Sequence, residues 1–298
     1  MIVLSYILQG FLVFVFCFTI FVAYTHRSKR EPGEMHEAYT NRKIENPSTD
    51  NERVFNQATK IANQLYYGKN AKYAEKARDM YISVYNEVKN IDNVIIYNSG
   101  GFGWADFNVV PAWPTIMKGI QELIDKHGES TYVLNYFRTY GNFWSAKTES
   151  DVMTGDNPYK SDELSGIINI LLDNTDCKII LTGESQGAGQ CEFISQRFKD
   201  EERVFSIQTG SPFWNLSKPH ERSIVINNNG DHPDTFAYGD WSTIIKINAK
   251  KILHRHIDVS EGDIFTVFSA PGHYYSWDHP VVRTKVTEFV ESKILKLK

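Results

Sequence analysis

Gly183-Glu184-Ser185-Gln186-Gly187 has the spacing G-x-S-x-G, in which a serine hydroxyl can serve as a nucleophile. With glycine and serine each near 7 % of residues, such a pattern arises by chance in about one chain in ten of this length. Its surroundings carry the meaning. The apolar run Ile179 to Leu181 precedes it, and Phe193, Ile194 and Phe198 follow at helical spacing, so Ser185 is expected on a tight strand-to-helix turn.

A hydroxyl is a weak nucleophile and needs a base within hydrogen-bond reach and an acid to orient that base. On a strand-turn-helix scaffold the expected order is Ser, then Asp or Glu, then His. After the strand-like run Ser223 to Asn228 comes Asn229-Gly230-Asp231-His232-Pro233-Asp234. Asp231, nearer the strand end, is the expected acid, with Asp234 as the alternative. After Asp263 to Phe268 comes Ala270-Pro271-Gly272-His273, so His273 is the expected base, ahead of His279, which abuts Pro280 at a helix start. An oxyanion formed on attack needs backbone N–H donors. Gln186 supplies one, and the glycine-rich Asn98-Ser99-Gly100-Gly101-Phe102-Gly103 supplies a second from Gly101 or, alternatively, Phe102.

These groups must be held by regular elements. Strand-like runs cover residues 94–97, 131–137, 178–181, 204–208, 223–228 and 263–268. Helical patterns lie between them: one begins at Pro114, one contains Leu164 to Leu172 with Ser161 as N-cap, and one runs from Val281 to Ile294. The alternation predicts an α/β layer architecture with a mostly parallel central sheet. Two earlier helices, Arg53 to Tyr67 and Ala71 to Val88, form a lead segment; the second carries Tyr73, Ala77, Met80, Tyr81, Val84 and Val88 on one side. The aromatic-rich stretch 138–159 lacks a regular pattern and reads as a binding loop or lid over an acyl pocket.

Ile2 to Tyr24 contains no charged residue and is long enough to span a bilayer core of roughly 30 Å as a helix. It has no basic start and no small-x-small cleavage site, so an uncleaved anchor is expected. Arg27, Lys29 and Arg30 follow the span and no Lys or Arg precedes it, which puts the bulk of the chain on the cytoplasmic side; export with retention by the same segment is the alternative. The organisation is then an anchor (1–25), a polar tether (26–52), the helical lead (53–91) and the α/β domain (92–298).

The 298 residues are 42% hydrophobic and 23% charged with a net charge of -4, which gives no concentrated basic footprint for nucleic acid. Three cysteines, one of them in the apolar N-terminal run, provide no disulfide framework and no metal-ligand spacing. His254-Arg255-His256, close to Lys250 and Lys251, reads as a solvated basic helix end.

GESQGAG, the glycine-rich turn, NNGD and GHYY, in this order, resemble the α/β-hydrolase superfamily. The S-Q-G-A core, and VPAWPTIMKGIQELI ending at Ile124, are similar to the cutinase-like branch that includes the mycobacteriophage lysin B esterases. The resemblance covers residues from about Asn93 onward. It implies an α/β-hydrolase fold, a Ser185-Asp231-His273 triad, and cofactor-free hydrolysis of carboxylic esters, with lipid-like substrates suggested by the anchor. An acyltransferase using the same triad and a non-catalytic membrane scaffold are the competing readings.

Overall fold

The computed structural model describes residues 51–67, 71–101, 103, 105–138, 158–215, 218–253 and 270–296. The expected apolar span, nearly all of the tether, Phe102, most of the 138–159 stretch, the histidines at 254 and 256, and the strand expected over 263–268 lie outside them. Among the described residues no helix is long and apolar enough to cross a membrane.

Five parallel strands, β1 (Asn93–Asn98), β2 (Thr131–Tyr136), β3 (Lys178–Glu184), β4 (Val204–Thr209) and β5 (Ser223–Ile226), form one sheet in the order β2-β1-β3-β4-β5. Side chains alternate across a strand, and the sheet sorts them accordingly. Val94, Ile96, Ile179, Leu181 and Val204 face one layer of helices: α1 (Glu52–Leu65), α2 (Ala71–Val88), α4 (Pro158–Asn174) and α5 (Gln186–Arg197). Ile95, Tyr97, Ile180, Phe205 and Ile207 face the other, made by α3 (Trp113–Asp125) and α7 (Pro280–Phe289) with its π-helical extension Val290–Ile294. α6 (Trp241–Leu253) follows β5. The expected fold class therefore holds as a parallel α/β sheet flanked by helices.

The strand order determines where a site can form. From β1 the chain crosses to β2 at one edge, then returns past β1 to β3, so the loops leaving β1 and β3 diverge. A crevice opens at the carboxyl ends of these neighbouring strands, the place where open α/β sheets bind ligands.

Local differences from expectation have physical reasons. α4 begins at Pro158, not after Ser161; proline is preorganised for the first helical turn, and the Ser161 hydroxyl instead accepts a hydrogen bond from Gln190 Nε2 at 3.0 Å. Tyr73, expected on the buried side of α2, is half exposed and stacks on Tyr66, while Ala77, Tyr81, Val84 and Val88 are buried. α6 was not delineated by any apolar stripe: Ile244 is fully buried while Ile245 and Ile247 are half-buried, and its start is marked by Asp240, whose carboxylate accepts from Thr243 N.

The lead helices are locked to the sheet by a buried polar cluster. Lys160 Nζ lies 2.7 Å from Glu163 Oε1 on α4, and the same carboxylate accepts from Tyr66 OH at the end of α1 (3.1 Å) and Tyr136 OH at the end of β2 (3.0 Å). Removing one member of a buried pair strands the other's charge. Lys160→Ala is expected to cost roughly 3–5 kcal/mol in urea unfolding, and the double variant Lys160→Met/Glu163→Leu is expected to recover most of that loss.

Candidate active site

β3 runs directly into α5 through Ser185, which adopts φ 49° and ψ -123°, a left-handed backbone that side chains rarely adopt. Both its peptide groups are engaged: Ser185 N donates to Thr209 O on β4 (3.0 Å), and Ser185 O accepts from Gly189 N in α5 (3.1 Å). The turn is so tight that a Cβ on Gly187 would lie 2.0 Å from Asn98 O at the end of β1. This is the elbow expected from the sequence. The residue after it, Gln186, opens α5, where the first amides have no intrahelical acceptor.

On the far side of β4, Gly210 N donates to Ile226 O, and His273 packs on this glycine: a Cβ there would sit 2.8 Å from His273 Cε1. His273 Nδ1 lies 2.7 Å from Asp234 Oδ2. A carboxylate only accepts, so Nδ1 carries the proton and Nε2 is left as the basic nitrogen. Asp234 is fully buried, and its oxygens are saturated: Oδ2 also accepts from Tyr275 OH (2.6 Å), and Oδ1 accepts from Phe236 N (2.9 Å) and Ala237 N (3.0 Å). Burial, reinforced by the Asp234 carboxylate, pushes the Tyr275 phenol well above its ordinary range, so it remains a donor.

The acid against His273 is therefore Asp234 and not Asp231. An isolated bridge between Asn228 and Pro233 folds the intervening residues out as a small hairpin, and Asp234 N returns to bond Asn227 O at 3.1 Å. Asp231 sits on that outfolded segment with a 72% exposed side chain, 3.6 Å from His279 Nε2. Nearness to β5 in sequence is thus not nearness in space. The Asx-type capping by Asp234 of the turn that follows it was the available signal. His279 is taken up elsewhere, its Nδ1 accepting from Ser276 N at the N-terminus of α7.

After β1, Gly103 N donates to Gly100 O at 3.1 Å and closes a turn in which Gly101 has φ 53°. Phe102, the alternative donor, lies outside the described residues. Two groups beside this turn were not singled out from the sequence. Glu184, within the G-x-S-x-G pattern, accepts from Trp113 Nε1 at 2.7 Å and Tyr97 OH at 3.4 Å; Arg138, at the end of β2, is buried and donates to Ser99 O at 2.7 Å. Phe213, Trp214, Phe236 and Trp241 make a cluster of edge-on aromatic contacts, and Phe236 meets the His273 ring at 5.1 Å between centroids. Among the described residues no group of three or more His, Cys, Asp and Glu side chains is arranged to hold a metal ion. Cys177 and Cys191 are buried free thiols.

No protein-family model matches the chain, and no curated protein sequence matches it. A solved Trichoderma reesei cutinase in complex with a C11Y4 phosphonate inhibitor aligns over 87% of this chain and 99% of its own, at 14% sequence identity and a TM-score of 0.39.

Because Asn98 O is backbone, no side-chain movement relieves a methyl group at position 187. Gly187→Ala is expected to lower stability by about 1–3 kcal/mol, as overpacking does, measured as a fall in thermal midpoint followed by circular dichroism.

Proposed function

We propose that the protein is a serine hydrolase of carboxylic esters, with Ser185 as nucleophile, His273 as general base and acid, and Asp234 as the group that orients the imidazole. One observation carries this reading: a fully buried carboxylate holds His273 by Nδ1 at 2.7 Å, one β-strand away from a serine kept in a strained elbow. Burying an aspartate and straining a backbone both oppose stability. A scaffold that does no chemistry has no use for either, which disfavours the non-catalytic reading.

In the proposed reaction Ser185 Oγ attacks the ester carbonyl carbon while His273 Nε2 takes the hydroxyl proton. The tetrahedral oxyanion is met by the amides of Gln186 and of the turn at Gly101. Collapse breaks the bond to the alcohol oxygen, which leaves with the proton from His273, and water then repeats the sequence to release the acid and restore Ser185. Asp234 accepts from Nδ1 and keeps the imidazole in that tautomer. The aromatic cluster beside His273 suits an apolar ester, and the uncharged segment Ile2 to Tyr24 would place the enzyme on a membrane, its α/β domain on the cytoplasmic side, with lipid-like esters at hand.

A fluorophosphonate probe tests the reading, since Oγ–P bond formation with loss of fluoride requires the activated serine. Wild type is expected to label and Ser185→Ala is not; a folded wild type that stays unlabelled refutes the hydrolase. Product analysis with and without added alcohols separates hydrolysis from acyl transfer. The choice of acid is tested by isosteric variants: Asp234→Asn is expected to lower kcat by about 10³–10⁴-fold through the wrong tautomer, whereas Asp231→Asn stays within about twofold.

A further inference from the structure

On the reading that Ser185 is an ester-cleaving nucleophile, we propose that Glu184 and Arg138 are a pair of positioning residues that grip the turn after β1, Glu184 by packing against Gly100 and Arg138 through the turn's carbonyls, and so aim its amides at the oxyanion. Nothing in the G-x-S-x-G spacing requires a carboxylate at the second position. Here it accepts from Trp113 Nε1 and Tyr97 OH, with its Cγ set against Gly100. Arg138 holds the carbonyls of the same turn. Its guanidinium donates to Ser99 O at 2.7 Å and Gly101 O at 3.1 Å, and its backbone N donates to Gly103 O at 2.8 Å.

The glycines of the turn fit this grip. A Cβ on Gly103 would lie 2.7 Å from Arg138 Cζ, and one on Gly100 would lie 3.1 Å from Glu184 Cγ and 3.3 Å from Ser185 Cβ. The loop is therefore glycine-rich partly to admit the two charged side chains of its own protein. A planar guanidinium fork can bridge two carbonyls in fixed geometry, which a lysine cannot do. With its carbonyls held by Arg138 and Gly100 packed against Glu184, the turn has little freedom to reorient when charge develops on the substrate.

Burial raises the pKa of Glu184, while the His273 charge and the hydrogen bonds from Trp113 and Tyr97 oppose that rise. The charged or titratable groups around the pair are Tyr97 on β1, Arg138 after β2, Cys191 on α5, and His273 with Asp234 behind it. Since its pKa is raised, the carboxylate is protonated at a higher pH than an exposed one, and its hold on Trp113 and Tyr97 weakens from the acid side.

Wild type, S185A, E184Q and R138K are compared by p-nitrophenyl ester hydrolysis across pH, fluorophosphonate labelling and thermal melting. Wild type is expected to label at Ser185. E184Q and R138K are expected to melt cooperatively and to lose roughly tenfold or more in kcat with KM held within about threefold. The acid limb of E184Q is expected at lower pH, because position 184 no longer carries a group whose protonation loosens the grip. If R138K does not fold, E184Q decides alone. Labelling at Ser185 together with wild-type kcat in the folded variants, or a loss of kcat in E184Q with an unmoved acid limb, overturns the positioning pair and leaves the hydrolase standing. An unlabelled wild type overturns both.

Discussion

The backbone of Ser185 lies in a conformation that opposes folding, and the crevice is built around holding it there. β1, β3 and β4 run parallel and end level, with Asn98 beside Gly183 and Gly183 beside Gln208. That register delivers Thr209 O to Ser185 N and brings Asn98 O against the first turn of α5. The elbow cannot relax toward β4 without losing a hydrogen bond, nor toward β1 without a backbone clash. The same level ending brings the turn after β1 beside the serine and places Gly210, the seat of His273, one strand further on. A nucleophile, an amide-bearing turn and a base thus converge because three parallel strands stop together.

The parts of this arrangement that depend on local pattern were legible in the sequence. β1 to β4 announce themselves as apolar runs, α3 by Pro114 and the spacing of Ile116, Ile120 and Ile124, and the elbow by its strand-turn-helix context. What was not legible depends on loop geometry and on contacts between distant segments. Asp231 and Asp234 are three residues apart, and only the Asn228–Pro233 bridge decides which of them meets His273. Ser161 reads as a helix cap until Gln190, on a different helix, engages it. Glu184 occupies a position that any residue can fill, and its meaning comes from Trp113 and Tyr97, 71 and 87 residues away in the chain. Arg138 stands at the end of an apolar strand, where only the fold shows that its charge turns inward to the carbonyls of another loop.

Three of the carboxylates set into the protein show how neutralisation separates structure from chemistry. Glu163, away from the crevice, is paired with Lys160, so its charge is cancelled locally and its role is to fasten the lead helices to α4 and β2. Asp234 and Glu184 are solvated differently. Apart from His273 itself, the donors to Asp234 are a phenol and two peptide N–H groups, and those to Glu184 are an indole and a phenol. These donors stabilise an anion without supplying an opposing full charge. The nearby cation, Arg138, directs its guanidinium to backbone carbonyls. Negative potential is therefore kept at the crevice in a partly desolvated setting, where fixed charges act more strongly than in water. Under the proposed chemistry the positive charge that develops during attack is on His273, which Asp234 holds at Nδ1. Dipoles and charges already in place need no reorganisation as that cation forms, which is the physical basis on which such a site lowers a barrier.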